Sequence, residues 1–439
     1  MLFKNALICT IDAEAQTVEP FSGHLLINNG RIERIFSSQE TDLSPDETVW
    51  DLQGRVLTVP NVNFHEHIYS RLAKGLPTNG PMDNFVHILQ TLWWKLDRFL
   101  DLDMVQASAE LAILEAIRHG VTYLFDHHAS PAPGAVKGSL QRIAGTLQKA
   151  GLRGVLAFEV SDRNGPEIAR ESIAENADFA AGQTSEMKAM MGLHAPFTLS
   201  DATLRRVAEI VRSLKLGIHI HVAEDRADVE QTRKEHDMGI AQRLQSFNLL
   251  NEHSLLIHGV HLGDEDYRII REHGAALAYN PDSNLNNAVG LPHYAAVPEE
   301  IPILAGTDGM HANVLRSLKQ LFLLYRHQGN SFDKAFAWLH KIFFDQIRFV
   351  QHYFPDFPLL HQDDRADFIV WDYVPPTPFT GKNFWGHYIY GMMEAPIYSV
   401  VQHGELLLHK RNFTSLDEKA LQKNITRQGK RLFERFKAE

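Results

Sequence analysis

The sequence predicts a (β/α)8 TIM-like barrel joined to a small β-sandwich built from both termini. Three observations predict it. Eight short apolar runs alternate with helical patterns through the middle of the chain. Strand-like segments separated by turn signals occupy both ends. Histidines and carboxylates recur where the central apolar runs stop. Alternating strands and helices give a parallel sheet, and eight such units close a barrel.

The first segments, "LFKNALICTID", "SGHLLINNGRIERIFS" and "VWDLQGRVLTVP", alternate apolar and polar residues as half-buried strands do. The step Asn28 to Arg31 reads as a hairpin turn, with Gly30 free to take positive φ. The barrel runs follow: "RVLTVPNVNFH", "GVTYLFDHH", "LRGVLAFEV", "KAMMGLHAP", "LGIHIHVAE", "HSLLIHGVH", "AALAYNP" and "IPILAGTDG". Helical patterns such as "DMVQASAELAILEAIRHG" and "SDATLRRVAEIVRSLK" separate them, the first ending at glycine as helices often do. A doubly wound sheet is the rival, but no Gly-rich phosphate loop follows the first strand. Strands return in "ADFIVWDY" (366–373) and "YSVVQHGELLLHKR" (398–411), and Ser415 to Lys437 has the spacing of a surface helix. The division is therefore 1–57 with 360–439 for the composite β domain and its final helix, and 58–359 for the barrel.

A chain of 439 residues with 44% hydrophobic and 22% charged residues is globular in composition. Its net charge of -11 argues against nucleic acid or an anionic membrane as partner. A single cysteine, Cys9, excludes an internal disulfide and fits a reducing compartment. The start, "MLFKNALICTIDAE", reaches acidic residues too early for a secretory signal, and no apolar run approaches the roughly 20 residues of a membrane span. The expectation is a cytoplasmic protein.

In "NFHEHIYS" (63–70), His65 and His67 leave one face of an extended segment, about 6.6 Å apart along the strand. They can converge on one cation, given zinc–nitrogen bonds of about 2.0–2.1 Å, while Glu66 points elsewhere. Active sites of such barrels lie at the C-terminal strand ends. Those ends carry Asp126, His127 and His128 (second strand), His194 (fourth), His219, His221 and Glu224 (fifth), His258 and His261 (sixth), and Asp308 (eighth). A catalytic zinc keeps about three protein ligands and an open position. His65, His67 and one histidine of the fifth strand supply three, and Asp308 adds a carboxylate, which fits the five-coordinate form such sites sometimes take. His219 and His221 share a face, so parity does not choose; position near the mouth favours His221. A two-metal site commonly needs a bridging carboxylated lysine on the fourth strand, where Lys188 stands at the wrong end. One metal is the expectation.

Together, H-x-H, "HVAE", "LLIHGVHL", "NPDSNLNN" and "GTDG" resemble the amidohydrolase superfamily, in the branch of heterocycle deaminases and triazine hydrolases. Within it, "LWWKLDRFLD" (92–101), "DHHASPA" (126–132), "GLHAPFTLSDA" (192–202) and "HIHVAED" (219–225) look like the SsnA-like aminohydrolases. The resemblance covers nearly the whole chain. It implies that His65, His67, His221 and Asp308 hold a divalent ion, zinc ahead of iron, that Glu224 does acid–base work and that His258 polarises water or substrate. Two positions depart from the family: Asn61 follows Pro60 where glycine is usual, and "QDDRADF" replaces a Gly-containing turn.

The expected reaction is hydrolysis of a C–N bond of a small heterocycle with release of ammonia. Cyclic-amide opening or loss of another group, such as chloride, would use the same parts. From a different class, a catalytically silent barrel that binds metal or a ring compound is the alternative; Glu224 and Asp308 speak against it. His194 is placed at the pocket wall. Parity turns only one of His127 and His128 inward, and His128 is carried as the candidate. Asn284 and His311 are further wall candidates. Trp93 and Trp94 share a helix, one expected in the core and Trp94 as a stacking lid. A homodimer is expected from similar proteins.

Overall fold

The computed structural model describes residues 1–37 and 48–438. At the amino end are β1 (Leu2–Asp12), β2 (Thr17–Asn28), β3 (Arg31–Ser37), β4 (Val49–Asp51) and β5 (Val56–Thr58). The central strands are β6 (Asn61–Glu66), β7 (Val121–His128), β8 (Arg153–Phe158), β9 (Met187–Ala189), β10 (Met191–Leu193), β11 (Ile218–Val222), β12 (Leu255–His258), β13 (Ala276–Tyr279) and β14 (Ile303–Ala305). Four more close the chain: β15 (Phe368–Trp371), β16 (Ile397–Gln402), β17 (Glu405–His409) and β18 (Asn412–Phe413).

The central strands form two parallel sheets, β6-β7-β8-β9 and β10-β11-β12-β13-β14. The fourth barrel strand is one run broken at Met190, its first half paired with β8 and its second with β11. Parallel bridges Val160↔Leu193 and Glu66↔Asp308 join the two sheets into a closed barrel. All residues of these strands are buried except Lys188. That explains the unbroken apolar runs, since strands covered on both faces have no polar side to show. Lys188 sits at the opposite end of its strand, beside Gly217 and His253, far from any bridging position.

Side-chain caps start the helices between strands. Asp101 accepts the Met104 N–H at 3.0 Å ahead of the helix Leu102–Arg118. Ser200 accepts the Thr203 N–H at 3.3 Å ahead of Asp201–Leu214. Each cap satisfies one of the amide donors that a first helical turn leaves unpaired.

Strands from both ends of the chain hydrogen-bond into one nine-stranded sheet, ordered β18-β17-β16-β15-β5-β1-β2-β3 with β4 beside β1. The hairpin at Asn28 pairs with Arg31, and Asn29 (φ 49°) and Gly30 (φ 75°) both take left-handed backbone. Such a two-residue turn matches the twist of its strands. A Cβ on Gly30 would also lie 2.5 Å from the His403 ring, so glycine is required twice over.

The sheet is tied to the barrel by polar bonds. Tyr123 donates to Asp367 Oδ2 at 2.6 Å, and Arg365, close ahead of β15, has its Nη1 3.4 Å from Asp356 Oδ2. Both departures from the family pattern have replacements. Asn61 Nδ2 donates to the His119 carbonyl at 2.9 Å, fastening β6 to the turn before β7. In "QDDRADF", Asp364 Oδ2 accepts the N–H groups of Leu359 and His361, each at 2.9 Å, and Asp363 supplies positive φ (70°) in place of glycine. The last helix, Glu418–Lys437, packs on the helix Leu102–Arg118, with Asn424 Nδ2 2.7 Å from Glu110 Oε2. Among the described residues, no helix is long and apolar enough to cross a membrane.

Candidate metal and active site

β6 delivers His65 and His67 to the C-terminal mouth of the barrel, and closure against β14 brings Asp308 beside them. The Thr307 and Asp308 N–H groups both donate to the His65 carbonyl, at 2.8 and 3.0 Å. Gly306 makes that approach possible: a Cβ there would lie 2.4 Å from Asn280 Oδ1 and 2.8 Å from His65 Cβ. Asp308 (φ 54°) and His258 (φ 72°) both hold left-handed backbone, an unfavourable state for residues with side chains that recurs at functional sites.

Each imidazole is oriented from behind. His67 Nδ1–H donates to the His127 carbonyl at 2.6 Å, and His221 Nδ1–H to the His194 carbonyl at 2.8 Å. His258 Nδ1–H donates to Asn284 Oδ1 at 2.8 Å. His65 Nδ1 shares a 2.9 Å hydrogen bond with His219 Nε2. A carbonyl only accepts, so the partners of His67, His221 and His258 fix the proton on Nδ1 and turn Nε2 toward the mouth. His219 is thereby the deeper support of His65, and His221 the histidine of β11 that reaches the centre.

The Nε2 edges meet. His67 Nε2 is 3.4 Å from His221 Nε2 and 3.0 Å from Asp308 Oδ1. His65 Nε2, 3.6 Å from Asp308 Oδ1, is buried without a hydrogen-bond partner. Two imidazole lone pairs 3.4 Å apart repel unless a cation or proton lies between them. Asp308 emphasises the demand. Burial opposes charge on His67, yet Asp308 outweighs it and raises that imidazole to about 9. Asp308 is in turn held well below the ordinary carboxylate range against its own burial, by His65 and His67. With three imidazole nitrogens and a carboxylate, the donor set fits a zinc-like ion.

Glu224 and His258 stand next to this cluster. His258 Nε2 lies 3.5 Å from Glu224 Oε2 and 3.7 Å from Asp308 Oδ2. Burial raises the Glu224 carboxyl to about 7, against the pull of His258. Asp228 Oδ2 accepts the Ala223 N–H at 2.7 Å, and Ala223 takes positive φ (48°), which turns the chain so that Glu224 points inward. Asn287 Nδ2 donates to Glu224 Oε1 at 3.4 Å.

These groups open into a cavity of about 730 Å3, the space at its mouth included. That is an ordinary size for a small-molecule site. His194, Trp93 and Trp94 line it, the two tryptophans on a segment that includes the π-helical turn Leu89–Trp93. Both are half-buried, and Trp93 also packs against the hydrophobic core.

Three expected wall residues do not reach the cavity. His128 faces away from the histidine cluster, its Nε2 2.9 Å from Ser130 Oγ and its ring against Tyr69 and Phe158. Parity instead turns His127 toward the cluster, its ring 4.8 Å from that of His221, but its Nε2 is spent on the Leu193 carbonyl at 3.1 Å. Asn284 sits behind His258 and supports it. His311 has its Nε2 3.3 Å from Asp282 Oδ2 and accepts the Asn313 N–H. His261, also at a strand end, bonds to the Val289 carbonyl at 2.9 Å.

Sequence reading missed Asp97, Glu159, Arg163 and Asn287, all on the cavity wall. Glu159 directly follows β8, so the strand-end rule should have found it. Asp97 stands three residues after Trp94, on the same helical face. No pattern marks Arg163 or Asn287.

Residues 61–339 match the model of the amidohydrolase family. A 5-methylthioadenosine/S-adenosylhomocysteine deaminase of Desulforudis audaxviator is 26% identical over 460 residues, covering 99% of each chain. Among solved structures, a zinc-bound adenosine deaminase from Xanthomonas campestris aligns with a TM-score of 0.79 at 19% identity, over 98% of each chain. A mutant of atrazine chlorohydrolase TrzN from Arthrobacter aurescens, complexed with zinc and atraton, gives 0.78 at 16% identity, over 98% of this chain and 99% of its own.

Proposed function

The chain belongs to the amidohydrolase family, and from that premise we propose a metal-dependent aminohydrolase that breaks a C–N bond of a small nitrogen heterocycle and releases ammonia. The observation that carries this reading is the meeting of His65 and His67 Nε2 with Asp308 Oδ1, and of His221 Nε2 with His67 Nε2, with Glu224 and His258 alongside. His65, His67, His221 and Asp308 would hold one divalent ion, zinc ahead of iron. Bound there, the ion supplies the Lewis acidity that makes water a nucleophile at neutral pH.

The residues do the proton work. Asp308 accepts the first proton of the attacking water as its oxygen bonds to the ring carbon that bears the amine. Glu224, protonated near neutrality, gives its proton to the adjacent ring nitrogen. His258 Nε2 faces both carboxylates and stabilises charge in the adduct. The amine then leaves with the proton from Asp308 as ammonia, and Glu224 takes the hydroxyl proton as the carbonyl forms.

The test couples metal analysis of the purified protein to ammonia release from purines, pyrimidines, pterins, triazines and hydantoin-like rings. About one equivalent of metal with ammonia from one of these rings is the expected result. Bound metal with no ammonia from any of them contradicts deamination. The homodimer is a separate proposal, checked by the mass of the protein in solution.

A further inference from the structure

Part of the cavity wall has no role in that chemistry. Arg163 Nη2 donates to Asp97 Oδ2 at 2.6 Å and to Glu159 Oε1 at 2.7 Å, and the guanidinium lies 5.2 Å from the Trp94 ring centre. The three side chains are 14%, 3% and 5% exposed for Arg163, Asp97 and Glu159. Two carboxylates thus share one guanidinium. Asp97 Oδ1 is buried without a hydrogen bond of good geometry, and the Tyr69 hydroxyl is the neutral donor standing beside the carboxylate. Leaving a buried carboxylate oxygen poorly paired is costly, and a ligand that donates to it removes that cost.

Charge on the rest of the wall leans the same way. Among the described residues, Arg163 is the only lysine or arginine lining the cavity, whereas Asp225 and Asp228 join Asp97 and Glu159 on it. The ion proposed above offsets Asp308 at its own end only. A carboxylate or phosphate approaching Arg163 would find its guanidinium already held by two carboxylates, and like charges in a poorly solvated pocket repel strongly.

The geometry points to Asp97, positioned by Arg163, as a specificity residue that accepts an N–H or O–H from the substrate and turns away anionic molecules. The substrate is then an uncharged or cationic heterocycle rich in donors, stacked near Trp93 and Trp94. This rests on reading the cavity as the substrate site.

Purine riboside, its 5′-amino derivative and its 5′-carboxylate form a matched probe set with no amine on the ring to lose. Their dissociation constants on the zinc-loaded protein are read by calorimetry, and ammonia from adenosine is followed separately. The expected order is amine tightest and carboxylate weakest, by about tenfold or more. In Asp97→Asn, and in Glu159→Gln as a second variant, zinc content stays and that preference shrinks about tenfold. A carboxylate that binds as well as the amine, no binding of any member, or a preference unchanged in both variants overturns the inference. The expected order with no ammonia from adenosine or from any ring of the panel above contradicts the deaminase reading instead, and ammonia with the wrong order contradicts only the role of Asp97.

Discussion

His67 and His221 face one another Nε2 to Nε2 at 3.4 Å, while the Nδ1 of each is committed to a main-chain carbonyl. Neither ring can turn away without losing that bond, so the pair is built to share a cation. Stripping metal with a chelator is therefore expected to lower the melting temperature, and adding zinc to restore it. The shift should grow with zinc concentration, as binding to the folded state alone requires. A melting curve indifferent to chelator would contradict this.

Asp308 is expected to be indispensable for turnover. Asp308→Asn keeps the size of the side chain and its bond from the Gly309 N–H, 2.7 Å from Oδ1, but cannot accept the water proton. Activity should fall by about 10²–10⁴-fold with the circular dichroism spectrum unchanged. Retained activity removes Asp308 from that role.

Glu224→Gln separates chemistry from metal binding. The amide has no proton to cycle, so kcat is expected to drop by about 10²–10⁴-fold while zinc content stays near the wild-type level. Loss of zinc in this variant would place Glu224 among the ligands instead.

Asn284 acts on His258 through a single bond of 2.8 Å. Asn284→Ala leaves the imidazole without its partner, and kcat should fall about tenfold, the worth of roughly one such hydrogen bond. Metal content is the control, because Asn284 touches none of the four proposed ligands.

Gly306→Ala tests the closure of the barrel. The new methyl would meet Asn280 Oδ1 and His65 Cβ at 2.4 and 2.8 Å. Overpacking of this kind costs about 1–3 kcal/mol, and zinc affinity should weaken with it because His65 must move. Equal stability and affinity would show that the strands have room to spare.

Much of this is legible in the sequence, for a physical reason. Barrel strands buried on both faces read as unbroken apolar runs, and each stops where polar side chains gather at one mouth. His65, His67, His221, His258 and Asp308 all stand at those strand ends, although nearness to the mouth is needed to prefer His221 to His219, and the resemblance to give His258 a role. Its failures have causes as well. Parity along β7 alternates sides but carries no origin, so His127 and His128 are indistinguishable until the barrel closes. Asn284 and His311 look like wall residues because loops after strands usually are, yet one supports His258 and the other bonds to Asp282. Arg163 pairs locally with Glu159, four residues earlier, but its bond to Asp97, 66 residues earlier, is a contact no local pattern encodes.

The central claim is a single ion held between imidazoles and a carboxylate drawn from two strands, β6 and β11, and the loop after a third, β14. Crystals of the zinc-loaded protein, with diffraction recorded at the zinc absorption edge, test it directly. The expected map has one anomalous peak within bonding distance, about 2.0–2.2 Å, of His65, His67 and His221 Nε2 and of an Asp308 oxygen. A map without a peak there, or with zinc bound only elsewhere on the molecule, contradicts the account.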